Sequence, residues 1–194
     1  MARIAEVAPE AMSPELRKLL DTRPPYTIYR VLANAPTVLP GFIQLAGALL
    51  TQTELDAQLR EMVILRVGAH CDSAYEIHQH VRLARHVGVS EERIQKALDI
   101  RRGGGDNAIC EELEDRVLAF TDSVVCSVKA PAEQFDTLRE FLSPRAITEL
   151  LMTIGAYMMV SRVLENLEVE IEQDGVDIAG RNYYPDPAGG RSSG

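Results

Sequence analysis

Arg60-Glu61-Met62-Val63-Ile64-Leu65-Arg66-Val67-Gly68-Ala69-His70-Cys71-Asp72-Ser73-Ala74-Tyr75-Glu76-Ile77-His78-Gln79-His80 is the stretch that decides the fold. Met62-Val63-Ile64-Leu65 is apolar in every direction around a helix, so a helix over about Glu54–Ala69 must be buried on all sides. The chain bends near His70 and Cys71. A second helix is expected from about Asp72 to Val87, with Gly88 as its C-terminal stop.

All four histidines lie between positions 70 and 86. On a helical wheel of the second helix, Ser73, Ile77, Val81, Leu83, Ala84 and Val87 share one arc. Glu76 and His80 fall in the middle of that apolar stripe, whereas Tyr75, His78, Gln79, Arg82 and His86 fall on the polar side. A carboxylate and an imidazole buried one turn apart cost several kcal/mol, about 2–7 for an uncompensated polar group, unless they pair or are solvated in a pocket. Such a break in the pattern marks a candidate site. Glu76 and His80, at i and i+4, can hydrogen-bond and exchange a proton. The plainer reading is a Glu–His pair that only fixes helix packing. A third is a metal site, but no second ligand pair is evident on a neighbouring helix.

Outward from this stretch nearly every periodic segment reads at the helical period, and alternating strand patterns are almost absent. Ser13-Pro14-Glu15 starts a short helix to about Leu20, ended by Arg23-Pro24-Pro25. Apolar segments follow over about Tyr26–Ala33 and Pro36–Leu50, the latter with Pro40 and Gly41 as an internal break. Ser90 caps a helix beginning at Glu91. Arg101-Arg102-Gly103-Gly104-Gly105-Asp106 reads as a linker. It follows no strand and has no lysine after a second spaced glycine, so it is not a phosphate loop. Helices are expected over about Glu111–Val128, Pro131–Phe141 and Pro144–Glu172. The organisation read from sequence is an all-α, single-domain bundle of about eight helices over 25–173. An N-terminal arm (1–24) and a loose C-terminal tail (174–194) flank it.

The 194 residues carry 46% apolar and 25% charged side chains, ample aliphatic surface for a core. Twenty basic residues against 29 acidic ones give a net charge of −9, which repels phosphate backbones and anionic membranes. The absence of tryptophan and only 5% aromatics argue against a base-stacking platform. No nucleic-acid or membrane partner is expected. The N-terminus shows no signal peptide, the longest apolar run, Leu150–Val160, is too short to span a bilayer, and three cysteines are too few for a disulfide framework. A cytoplasmic protein with reduced thiols is the expectation.

The quoted stretch, with Leu83-Ala84-Arg85 and Gly88-Val89-Ser90 after it, resembles the core of the carboxymuconolactone decarboxylase family, which has the alkylhydroperoxidase D-like fold. The resemblance is specific over about residues 54–100. It extends more loosely from Ile28 and to Ile154-Gly155-Ala156-Tyr157-Met158-Met159-Val160. The family's redox branch uses a glutamate, a Cys-x-x-Cys pair and a histidine three residues beyond the second cysteine. Here Glu61 and His80 stand at the glutamate and histidine positions, but Ser73 and Glu76 hold the cysteine positions. Neither can run a dithiol cycle.

The resemblance therefore implies the non-redox branch: cofactor-free, metal-free acid–base chemistry on a small carboxylated, lactone-like substrate, of the carboxy-lyase type. Glu61, Glu76 and His80 would line one pocket, with His80 as general acid/base and Glu76 positioning it or exchanging its proton. Ser73 would hydrogen-bond the substrate, and Arg66 or Arg60 would hold its carboxylate. Either arginine could instead serve an ion pair. His78 would be solvated in a monomer and, in an oligomer, could reach a neighbour's pocket. A homo-oligomer, trimer or hexamer, is also implied. The rivals are a thiol-dependent peroxidase or peroxidase-reductase of the same fold, with Cys71 as its thiol, and a non-enzymatic oligomer that binds a small acid. For Cys71 the plainer reading is an inert buried residue.

Overall fold

The computed structural model describes residues 2–100 and 113–172. The glycine-rich linker, Cys110 and the tail from 174 lie outside the described residues. Those residues form nine α-helices and one short 3-10 turn, with no strand among them, matching the all-α reading. The helices are α1 (Pro14–Asp21), α2 (Thr27–Leu32), α3 (Leu39–Thr51), α4 (Ala57–His70), α5 (Ala74–His86), α6 (Glu91–Leu98), α7 (Leu113–Ser127), α8 (Ala132–Leu138) and α9 (Pro144–Leu167).

The chain groups into two compact units, one of Met1–Gln52 with Asn166–Gly194 and one of Thr53–Glu165. In the first, Met12 and Leu16 of the N-terminal arm share a core with Ala33, Leu39 and Ile43. Ser13 caps α1 by accepting from the Leu16 backbone N–H, and Pro14 sits where no helical donor is needed. Pro40 is not the internal break expected from sequence. It occupies the first turn of α3, where its missing N–H costs nothing.

In the second unit α4 is central, packed against α5, α6 and α7. Asp56 caps it, and every residue from Leu59 to Gly68 is buried. Met62 and Leu65 join Ala84, Val89, Ile94, Ala97 and Leu118 in the core. This is the all-round burial that Met62-Val63-Ile64-Leu65 requires.

The corner between α4 and α5 fixes how the two helices face each other. Asp72 adopts φ 50°, the Ser73 N–H reaches back to the Gly68 carbonyl (2.9 Å), and the Asp72 N–H reaches Ala69 (3.3 Å). This is a Schellman turn with aspartate in the left-handed position. It explains why α5 begins at Ala74 rather than at Asp72. Gly68 lets the helices approach: a Cβ there would lie 3.3 Å from Ile77 Cγ1 and 3.7 Å from Glu76 Cβ. The exit of α5 repeats the device, with Gly88 at φ 87° and the Val89 N–H on the Ala84 carbonyl.

Ser143 caps α9, accepting from the Ala146 N–H. The helix ends at Leu167, before the expected Glu172, where Glu168 turns to φ 50°. By length and mean hydropathy α9 would suffice to cross a bilayer, which the run-length reading did not anticipate. Its buried residues recur at core-helix spacing, through Ile147, Leu150, Ile154, Tyr157, Val160 and Leu164.

Candidate acid–base site

Four charged or titratable side chains of α4 and α5 form one buried chain. Glu61 on α4 is 1% exposed, and its Oε2 lies 2.7 Å from His80 Nδ1 on α5. Glu61 Oε1 accepts from Arg60 Nε and Nη2, both at 3.3 Å. The other imidazole nitrogen, His80 Nε2, faces Glu76 Oε2 at 3.4 Å across one helical turn. Since Glu61 offers only lone pairs there, Nδ1 carries a hydrogen and donates. Nε2 is left as the position whose proton is shared with, or presented beside, Glu76. The Tyr157 ring meets the imidazole edge-on, centroids 4.8 Å apart and planes at 89°, and walls off one side.

Burial sets the charges. It pushes the Glu76 carboxyl above the ordinary carboxylate range; the His80 charge pulls the other way, and the Glu61 charge adds to the rise. Burial alone would lower His80, but the Glu61 charge and hydrogen bond, helped by Glu76, hold it above the usual imidazole value. The arrangement thus favours the protonated imidazole of His80 against Glu61, beside a Glu76 carboxyl that resists ionisation. Two titratable groups with displaced affinities side by side are what proton transfer near neutrality requires.

Both shifts have the same sign for folding. A group whose folded value is raised stabilises fully below its unfolded value, and that contribution is lost as pH rises through the folded one. For Glu76 the loss begins near its unfolded value of 4.5. Urea unfolding of wild type and Glu76→Gln from pH 4 upward should therefore show the glutamine variant gaining on wild type as pH rises. A gap independent of pH would contradict a buried, proton-retaining Glu76.

Ser73 is fully buried at the N-terminus of α5, and Ser73-Ala74-Tyr75-Glu76 has the spacing of a capping box. Yet the Ser73 hydroxyl makes no cap and has no hydrogen-bond partner among the described residues. A buried hydroxyl left unmade costs about 1–3 kcal/mol.

The remaining expected residues lie elsewhere. Arg66 does not reach this group: its Nε and Nη2 hold the two oxygens of Asp122 at 2.5 and 2.6 Å, and its Nη1 reaches the Asp99 carbonyl at 2.6 Å. The carboxylate that Arg66 holds is one of the chain's own, Asp122. His78 is exposed on α5, outside the group. Arg60 is paired with Glu61. Tyr75 and Gln79, placed on the polar side from sequence, are buried, while Ile77 and Val81 are half-buried. Sequence reading missed Tyr157 as a wall and missed Asp122 altogether; no local spacing links either to α4 or α5.

The described residues thus form an all-helical protein with a buried Glu61–His80–Glu76 group between the packed helices α4 and α5. Residues 36–107 match the model of the Carboxymuconolactone decarboxylase family. No match was found among curated proteins. Solved structures share the fold. An uncharacterized peroxidase-related protein from Ralstonia eutropha JMP134, with an alkylhydroperoxidase AhpD core, superposes with TM-score 0.72 at 15% identity, covering 89% of this chain and 93% of that one. An uncharacterized peroxidase-related protein from Silicibacter sp. TM1040 gives TM-score 0.70 at 16% identity, covering 83% and 86%. A variant of the debrominase Bmp8 in complex with 2,3,4-tribromopyrrole gives TM-score 0.68 at 17% identity, covering 89% and 94%. At these identities the likeness establishes the fold alone.

Proposed function

We propose that the protein is a cofactor-free acid–base enzyme of the carboxy-lyase type, acting on a small carboxylated, lactone-like substrate. The observation that carries this reading is the 2.7 Å His80–Glu61 contact, which holds the imidazole charged, with Glu76 against its other nitrogen. The Ser73 and Glu76 side chains at the positions of the family's redox cysteines favour this over dithiol chemistry.

In this reading the substrate's C–C bond to its carboxylate breaks and CO2 leaves. The electron pair is delocalised as a dienolate into the lactone carbonyl. The His80 imidazolium stabilises that charge, and its Nε2 proton is then delivered to carbon. Glu76, kept protonated by burial, returns a proton to His80 and is itself reprotonated from water when the product leaves, and Ser73 bonds the substrate. Proton NMR of a carboxylated muconolactone and a panel of β-keto acids incubated with the protein tests it. CO2 loss with appearance of the decarboxylated product is expected for at least one compound; no turnover across the panel overturns the reading.

A further inference from the structure

At the far end of α4 a second group of side chains meets α7. Asp122 Oδ1 lies 2.7 Å from His70 Nε2, while Arg66 grips both Asp122 oxygens. The carboxylate only accepts there, so His70 Nε2 carries the hydrogen, and in the neutral ring Nδ1 is left as an acceptor. Nδ1 faces the Cys126 sulfur at 3.8 Å. Cys126 lies one helical turn beyond Asp122 on α7, and it is exposed where Asp122 is buried. Arg66, fixed further by the Asp99 carbonyl, keeps the carboxylate from turning, and the carboxylate keeps the imidazole from flipping. The sequence of accessible thiol, base and orienting carboxylate is the arrangement that activates a nucleophile. The Glu61–His80–Glu76 relay uses none of these residues. Glu61 and His70 are nine residues apart on α4, about 13 Å along its axis.

The chemistry can be narrowed. Acyl transfer would develop an oxyanion, and the cation of this group, Arg66, is already turned to Asp122 and to backbone carbonyls. Thiol–disulfide exchange develops no oxyanion and needs only access and a proton acceptor.

We propose that Cys126, His70 and Asp122 form a nucleophilic thiol site that exchanges with low-molecular-weight disulfides and becomes a mixed disulfide. The Cys126 proton passes to His70 Nδ1 and its sulfur attacks one sulfur of the small disulfide. That S–S bond breaks, and the departing thiolate takes the proton back from His70. One thiol and one disulfide are consumed, and one thiol and one mixed disulfide are formed, with no other oxidant.

The test uses the full chain carrying Cys71→Ser and Cys110→Ser, so that Cys126 is the only thiol, with DTNB as the disulfide. The folded protein is expected to react about ten-fold faster than the same chain unfolded in urea, and His70→Gln should abolish the difference. A folded rate no faster than the unfolded one, or a folded His70→Gln variant as fast as its parent, overturns the proposal. Should His70→Gln fail to fold by circular dichroism, limiting cystamine on the wild-type chain decides. Peptide mass mapping should find the adduct at Cys126; first labelling at Cys71 or Cys110 overturns it.

Discussion

His80→Gln is expected to lower the turnover of a carboxylated lactone by about 10²–10⁴-fold, the usual worth of a positioned acid–base group. Glutamine can still donate toward Glu61 Oε2, where His80 Nδ1 now sits at 2.7 Å, so the α4–α5 contact survives. What glutamine lacks is a proton it can release at the position of Nε2. The loss should therefore fall on kcat rather than on KM, because the substitution leaves Ser73, the residue proposed to bond the substrate, untouched. Glu61→Gln separates charge from contact. Glu61 is the larger of the two carboxylate influences that raise His80. Without its charge the imidazole holds its proton less tightly, and the activity profile should move to lower pH while keeping its shape. Wild-type turnover in His80→Gln, or an unmoved profile in Glu61→Gln, would remove the relay from the reaction. Rates followed by the NMR assay above, over a pH series, read both.

The Glu76–His80 half of this group was legible because it is local: the two share one helix face at i and i+4. Glu61 entered only through the family resemblance, since no spacing within α4 or α5 shows that it faces His80. The wheel, however, placed the buried arc on the apolar residues, and the structure rotates it. The buried set is Tyr75, Glu76, Gln79, His80, Leu83 and Ala84, a clean i, i+1, i+4 series. Ile77 and Val81 were read as core because they are apolar, yet the helix buries Glu76, Gln79 and His80 as deeply as Leu83 and leaves those two half-exposed. Apolarity locates a core face only where the core is apolar. The α5 start was misread because aspartate, not glycine, takes the left-handed corner at position 72. Arg66 shows the other limit. Its charge on a helix buried all round announces that some partner exists, but the partner, Asp122, is 56 residues away, across the α4–α7 packing. No spacing within either helix encodes that contact.

Asp122→Ala is expected to be the most destabilising single substitution of a charged residue in the Thr53–Glu165 unit. The Arg66 side chain is 3% exposed, and Asp122 supplies both of its carboxylate contacts. Removing Asp122 leaves a guanidinium in the core with only backbone carbonyls beside it, at a cost of about 3–5 kcal/mol. His70 loses its orienting oxygen in the same step. The penalty comes from the stranded charge more than from the lost attraction, so it has a distinctive signature in a double-mutant cycle. Arg66→Met fills much of the same space without a charge. Combined with Asp122→Ala it should be less destabilising than Asp122→Ala alone, even though the Asp99, Ala97 and Lys96 carbonyls at the end of α6 then lose a donor. Urea unfolding followed by circular dichroism measures all three variants. Were the double variant to lose as much stability as the two single variants added together, Arg66 and Asp122 would be acting independently. The buried pair would then not be what holds α4 against α7.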